Sequence, residues 1–518
     1  MSDNSTPIVW LRERDTKQPL LILDDADTVG VALCALKPGE VINDIEVLQR
    51  IPKGHKMALA ALQEGQSVTK YAQSIGVASR YIGAGEHVHT DNLKFVDTTD
   101  TAVNGSFSTP VTPDNNNSDT FNGYHRQDGR VGTRNYIAVI SSVNCSATAA
   151  HAIANSFDDE SLSQYSNIDG IAAFTHGTGC GLADSGEGFD NLQRVFAGLA
   201  THPNVGGVLF VGLGCEVSQV QSVVSANRLQ QGPLLHTLNI QSSGGHRKTV
   251  LAGIDIVQSM LEEVNACVRS KSPVSSLSLA LQCGGSDAWS GITANPALGY
   301  AADRLIQQGG TAVLAETPEI YGAEHLLMQR AVSSAVVNDL AERIQWWREY
   351  VAKNNGSLDN NPSPGNKLGG LTTILEKSLG AVSKGGTTPL VAVARYAERV
   401  DDKGLVFMDS PGYDPASVTG QISTGCNLVA FTTGRGSTFG SKPAPCLKVA
   451  TNTDMFSQLT EDMDINAGTV VSDAESIADV GAKIYSRLLE IASGEQTLSE
   501  LNGLGSNEFV PWQIGATM

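Results

Sequence analysis

The chain has 518 residues, 41% of them hydrophobic, and Asp and Glu outnumber Lys and Arg by 54 to 35, giving a net charge of -19. Such a chain buries a large core and fills more than one domain at roughly one to two hundred residues each, which excludes a fibre, a disordered tail or a small stapled scaffold. The acidic field carries no Lys/Arg cluster, so no nucleic acid and no anionic membrane is expected as partner, and an acidic ligand must be gripped by local cations.

The first residues lack a basic start followed by an apolar core, and no apolar run reaches the roughly 18 residues that cross a bilayer. The expected location is cytoplasmic. The eight cysteines are spread out without CxxC pairs, unlike a disulfide framework or a zinc knuckle. From Pro19 to Val96, short β-rich runs alternate with turns such as Lys37-Pro38-Gly39 and Pro52-Lys53-Gly54. These predict a small β domain over residues 1–97. Residues 98–120, rich in Asn, Asp, Ser, Thr and Pro, read as a solvated, disordered linker.

From Phe121 onward, β-branched runs alternate with longer amphipathic or Ala-rich stretches, the pattern of βαβ units and a parallel sheet. The expected strands are YIAVISSV, GIAAFTH, GGVLFVGLG, LSLALQC, TAVLAE, LVAVARY, LVFMDS and LVAFTTG. The stretch Ser270-Lys271-Ser272-Pro273 divides this region into a middle α/β domain, 121–270, and a C-terminal domain, 271–518.

In an open α/β sheet the ligand lies beyond the carboxyl ends of the strands, so the residues at the strand exits are the candidates for chemistry. Those exits carry Asn144-Cys145-Ser146, Thr175-His176-Gly177-Thr178-Gly179-Cys180, Gly214-Cys215-Glu216, Cys283-Gly284-Gly285-Ser286-Asp287, Glu316-Thr317-Pro318-Glu319 and Gly434-Arg435-Gly436. A lone cysteine is usually a small buried hydrophobe, but four of eight at strand exits is a pattern. Thiolates, a histidine and carboxylates suit a transition metal such as iron, whereas Mg or Ca would take oxygen alone. On this reading Cys145, Cys180, Cys283 and Glu216 ligate the metal, and His176, Lys367, Glu316 and Asp287 are the catalytic candidates.

Gly434, Arg435 and Gly436 form an anion cradle in which the guanidinium grips a carboxylate in bidentate fashion. Asn361 to Gly370, with two prolines and three glycines around Lys367 and Asn366, is expected to be an ordered lid over the substrate. His87-Val88-His89 alternates as a strand does, so both imidazoles face one way. With His55 they are assigned to substrate binding. Dinucleotide fingerprints fail: Val217 and Leu182 stand where the third glycine belongs, which disfavours a Rossmann oxidoreductase.

The segments Asp128 to Asn135 (DGRVGTRN), Gly214-Cys215-Glu216, CGGSDAWSGITANP from Cys283, NPSPGNK, FTTGRG and MDINAG resemble the altronate and galactarate dehydratases, which remove water from sugar acids. The likeness covers nearly the whole chain. It implies an α/β multidomain protein with a SAF or β-clip module first, a middle domain associated with dimerisation, and a C-terminal Rossmann-like parallel-sheet domain. It also implies a homodimer and a divalent metal, Fe(II) with Mn(II) as the alternative. Gly85 to Thr90, Tyr321 to Glu324, Pro411 to Pro415 and Cys426 resemble the altronate branch, while GYHRQDGRVGTRN and CGGSDAWSGITANPALGY are closer to, or shared with, the galactarate branch. The expected reaction is D-altronate to 2-keto-3-deoxy-D-gluconate plus water. Galactarate dehydration is the alternative, and a non-catalytic sugar-acid binder the remaining one.

Overall fold

The computed structural model of the protein describes residues 18–97, 107–113 and 119–518. The expected linker therefore lies largely outside the described residues. Of the part that is described, Ser108 N donates to Ala331 O at 3.0 Å and Val111 packs on the C-terminal core, so 107–113 runs along that core.

The small β domain forms as expected. Strands Leu20–Leu21, Val29–Ala32, Lys56–Ala58 and His87–Val88 make one antiparallel sheet, and Ser67–Lys70, Gln73–Ala78 and Leu93–Lys94 a second. Val29, Ala58, Val68, Ile75 and Val88 close a core between them.

In the middle region four parallel strands lie in the order Gly170–Phe174, Tyr136–Ser141, Val205–Gly212, Leu235–Asn239. The run Ile137-Ala138-Val139-Ile140 shows why it reads as continuously apolar: Ile137 and Val139 meet helices Ala147–Ala154 and His246–Asn265, whereas Ala138 and Ile140 meet Glu187–Ala200 and Val220–Ala226.

The C-terminal sheet has seven parallel strands, in the order Leu390–Ala394, Gly404–Met408, Thr311–Ala315, Ser278–Cys283, Leu428–Thr433, Cys446–Ala450, Ile465–Asn466. Leu279 and Leu281 face helices Ala294–Gln307 and Ile477–Ala492; Ala280 and Phe431 face Asp414–Thr424. Laying of strands begins at Ser278, proceeds to one side, then resumes on the other at Leu428. A crevice for ligand opens where that direction reverses, beyond Cys283 and Thr433.

All eight expected strands are present. Sequence reasoning did not find Leu235–Asn239, Cys446–Ala450 and Ile465–Asn466, nor the strand Arg269–Pro273, which pairs antiparallel with Thr120–His125. The Ser270–Pro273 stretch is thus a ladder joining the segments that lead into and out of the middle region. Among the described residues no helix is long and apolar enough to cross a membrane, and all eight cysteines are free.

Candidate active site

A cleft of about 480 Å³ opens at the switch point of the seven-stranded sheet, lined by Cys283, Glu319, Asn361, Asn366, Lys377 and Asp414 among others. Its chemistry comes from three strand or helix ends. Cys283 closes the strand Ser278–Cys283, Glu316 and Glu319 come just after Thr311–Ala315, and Asp414 begins the helix Asp414–Thr424. Lys377 and Lys384 come from the helix Ile374–Val382 and the turn after it. A second cavity of about 600 Å³ lies between the helices Glu187–Ala200 and Ser334–Lys353, where Arg194, Arg343 and Arg395 alternate with carboxylates. It holds none of the strand-exit cysteines.

The polar contacts under the cleft form one network. Lys384 Nζ donates to Cys283 Sγ at 2.9 Å and stands 3.9 Å from Glu316 Oε2. Lys377 Nζ donates to Glu319 Oε1 and to Asn361 Oδ1, each at 2.7 Å, and Asn361 Nδ2 also donates to Glu319 Oε1. Gln282 Nε2 donates to Asp414 Oδ1 at 3.0 Å. The two ammonium groups hold the Glu319 carboxyl below its ordinary range despite burial.

Glu316 differs from its neighbours. It is 1% exposed, both carboxylate oxygens lack a hydrogen-bond partner, and its backbone is left-handed at φ 74°. A non-glycine residue in that region costs free energy and recurs at functional sites. Burial, then the nearby Glu319 charge, pushes its carboxyl well above the usual range. Asp414, also desolvated, is raised to about 6.

On the edge of the small β domain, His55, His87 and His89 converge. His55 Nδ1 lies 3.0 Å from His87 Nε2, the His87 and His89 rings stack at 5.3 Å, and one ring nitrogen from each of the three lies within 4.8 Å of the others. Burial first, and then mutual repulsion and the Lys56 charge, depress His87 and His89 to about 4, so both imidazoles are neutral near pH 7. His89 Nδ1 is buried without a partner. Neutral, convergent imidazoles with an unspent nitrogen fit a divalent transition ion. The other group of converging donors, Cys283, Glu316 and Glu319, fits one poorly, because ammonium groups already occupy Cys283 and Glu319.

Four contacts tie the β domain around the imidazoles to the C-terminal domain. His55 Nε2 lies 3.3 Å from Leu368 O, next to Lys367. The adjacent Lys56, fully buried, donates to Gly370 O and to Glu376 Oε2; Lys70 donates to Glu376 Oε1.

The sequence-predicted residues fall into three sets. Cys283 and Asn366 line the cleft, and the buried Glu316 carboxylate lies within 4.8 Å of Cys283 Sγ. Within the Asn361–Gly370 stretch, Ser363 and Asn366 make a capping box that starts the short helix Pro364–Leu368, and Asn366 Nδ2 donates to Ser286 O. Arg435 is exposed and Lys367 half-buried, and neither has an ion-pair partner among the described residues.

Asp287 takes a structural place. Its carboxylate accepts from Trp289 N, Ser290 N, Ser290 Oγ, Thr451 Oγ1 and Asn452 Nδ2, and a Cβ on Gly434 would lie 2.1 Å from its Cγ. It fixes the loops that carry Gly285 and Arg435. His176, Cys145, Cys180 and Glu216 belong to the other sheet, so the structure does not bring them to Cys283. His176 spends both nitrogens on Ser141 O and Thr178 N, and Glu216 spends its carboxylate on Ser142 Oγ, Leu213 N and Gly214 N. Lys377, Lys384, Glu319 and Asp414 were missed as site residues. Glu319 and Asp414 stand in segments that the sequence singles out, the Glu316–Glu319 strand exit and Pro411 to Pro415, while the one signal for Lys377 and Lys384 is two lysines in and just before the otherwise small and apolar stretch SLGAVSK.

Three family models match in chain order. The SAF domain of altronate/galactarate dehydratases matches residues 18–96, the second domain of D-galactarate dehydratase/altronate hydrolase residues 123–265, and the D-galactarate/altronate dehydratase C-terminal domain residues 274–517. The altronate dehydratase of Bacillus subtilis (strain 168) is 35% identical over 499 residues, covering 95% of this chain and 98% of that protein. The altronate dehydratase of Escherichia coli (strain K12) is 32% identical over 502 residues, covering 95% and 98%. The galactarate dehydratase (L-threo-forming) of the same organism is 33% identical over 506 residues, covering 96% and 95%. Matched by three domain models and full-length relatives alike, the chain belongs to the altronate/galactarate dehydratase family of sugar-acid hydro-lyases.

Proposed function

We propose that this enzyme converts D-altronate to 2-keto-3-deoxy-D-gluconate and water in the Cys283–Asp414 cleft. The observation that carries the reading is Glu316, a buried carboxyl without a hydrogen-bond partner and shifted upward by desolvation, beside the switch point of the sheet. Arg435 and Lys367 grip the substrate carboxylate at the mouth. Asp414, ionised above about pH 6, takes the proton from the carbon beside that carboxylate. Glu316 gives its proton to the hydroxyl departing from the next carbon, which leaves as water. The enol ketonises to the 2-keto-3-deoxy acid, and the proton on Asp414 is exchanged for the one Glu316 has lost. Lys377 and Lys384 offset the charge that builds on the enediolate.

His55, His87 and His89 would hold a divalent ion, for which we infer Fe(II), and it would supply Lewis acidity toward the substrate's oxygens. Galactarate is the second reading, favoured by the two cations at the mouth that have no ion-pair partner among the described residues and match a second carboxylate. Anaerobic assays against a panel of aldonates and aldarates, with and without ferrous iron, test this. Turnover of altronate above all others supports it; galactarate as best substrate selects the second reading; binding without turnover of any sugar acid overturns both.

A further inference from the structure

The cysteines of the middle region are placed for a chemistry that the cleft does not use. Cys145, Cys180 and Cys215 stand just past three adjacent parallel strands, Tyr136–Ser141, Gly170–Phe174 and Val205–Gly212, at the point where strand order reverses. All three are exposed and free. Their loops are cross-tied: Asn144 N donates to Thr178 O at 3.0 Å, Ser218 N to Gly179 O at 3.1 Å, and Ser142 Oγ to Glu216 Oε1 at 2.8 Å.

Two of these cysteines come directly after glycines in left-handed backbone, Gly179 at φ 103° and Gly214 at φ 120°. A Cβ on Gly179 would lie 2.4 Å from Ser142 O, and one on Gly214 2.8 Å from Gln241 Oε1. Left-handed backbone and close approach thus favour glycine beside Cys180 and Cys215. Gln241 Nε2 also donates to Cys215 Sγ at 3.3 Å, the amide-to-sulfur contact that tunes cluster thiolates. Among the described residues the three sulfurs do not fall within the 4.8 Å spread of donors around a single ion. A cluster with each thiolate on its own iron sets them further apart.

We propose that Cys145, Cys180 and Cys215 bind a cuboidal iron–sulfur cluster through three of its corners, leaving the fourth iron to an oxygen donor from water or a hydroxy acid. This site is separate from the imidazoles of the small β domain and does not rest on the function assigned to them.

The test is anaerobic reconstitution of the full chain with ferrous iron, sulfide and a thiol reductant. The expected product is brown, with a broad absorbance shoulder in the visible and about four irons and about four acid-labile sulfides per chain. C145S, C180S and C215S should each lose most of that sulfide, while C283S and H87A keep it. Because a serine variant can alter folding, the wild-type protein supplies a second reading: alkylation followed by peptide mass spectrometry. Cys145, Cys180 and Cys215 should be protected several-fold after reconstitution, with the exposed Cys34 modified equally in both forms. Iron uptake without sulfide, a chromophore that survives all three serine substitutions, or equal alkylation before and after reconstitution would overturn the proposal.

Discussion

Glu316 is costly to hold as it is, in backbone conformation and in desolvation, whereas both carboxylate oxygens of Asp287 accept hydrogen bonds. That contrast separates a residue available for chemistry from one that braces loops, and the sequence alone could not draw it, since both stand at strand exits. Cys283 and Lys384 touch across 101 residues of chain, a pairing no local spacing reveals. The imidazoles are the opposite case, for the His87-Val88-His89 alternation that turns both rings one way was legible in the sequence. Asp414 makes a pH prediction. As the base it must be ionised, so kcat/KM should fall as pH drops through about 6, and D414N should abolish both turnover and that inflection. An unshifted profile in D414N would assign the inflection to another group. Arg435→Lys keeps the charge but loses the fork, so kcat/KM should fall about tenfold with the melting temperature unchanged. Lowered stability with unchanged kinetics would make Arg435 a brace of its turn.

Among elements, the strands legible in the sequence are those covered on both faces, such as IAVI, VLFV and LVFM, which must be apolar throughout. Leu235–Asn239 was missed because it lies at a sheet edge with every residue half-buried, and Cys446–Ala450 because Lys448 interrupts its apolar run while its ammonium escapes to Ser437 O. The helix Ile374–Val382 is the element that joins the two candidate centres. Its Glu376 receives Lys56 and Lys70 from the small β domain, while Lys377 reaches into the cleft. The two ammonium groups hold the Glu376 carboxyl far below the ordinary range, outweighing its desolvation. Glu376→Ala would leave two buried ammonium groups unpaired and should destabilise the protein by about 3–5 kcal/mol in urea unfolding. A change under about 1 kcal/mol would mean that water solvates these lysines and that the contact does not clamp the small domain.

At the scale of the whole molecule, acid sensitivity arises from histidines buried without charge. Desolvation depresses His176 to about 4 and His202 to about 3, as it does His87 and His89. The unfolded chain takes up these protons near the ordinary pKa of 6.5 and the folded chain does not, so the unfolded state binds more protons between about pH 4 and 6.5. Stability should therefore rise with pH across that window and fall on acidification; a urea midpoint unchanged between pH 7.5 and 5 would contradict it. The net charge of -19 adds self-repulsion but gives no grip on a sugar acid. The most direct test of proton delivery in the cleft is kcat for Glu316→Gln on the iron-loaded enzyme with altronate, measured beside its melting temperature. Because no hydrogen bond to Glu316 is lost, kcat should drop roughly 100- to 10,000-fold while the melting temperature holds or rises. Turnover within about threefold of the wild type, in a variant of unchanged stability, would contradict the assignment of the chemistry to this cleft.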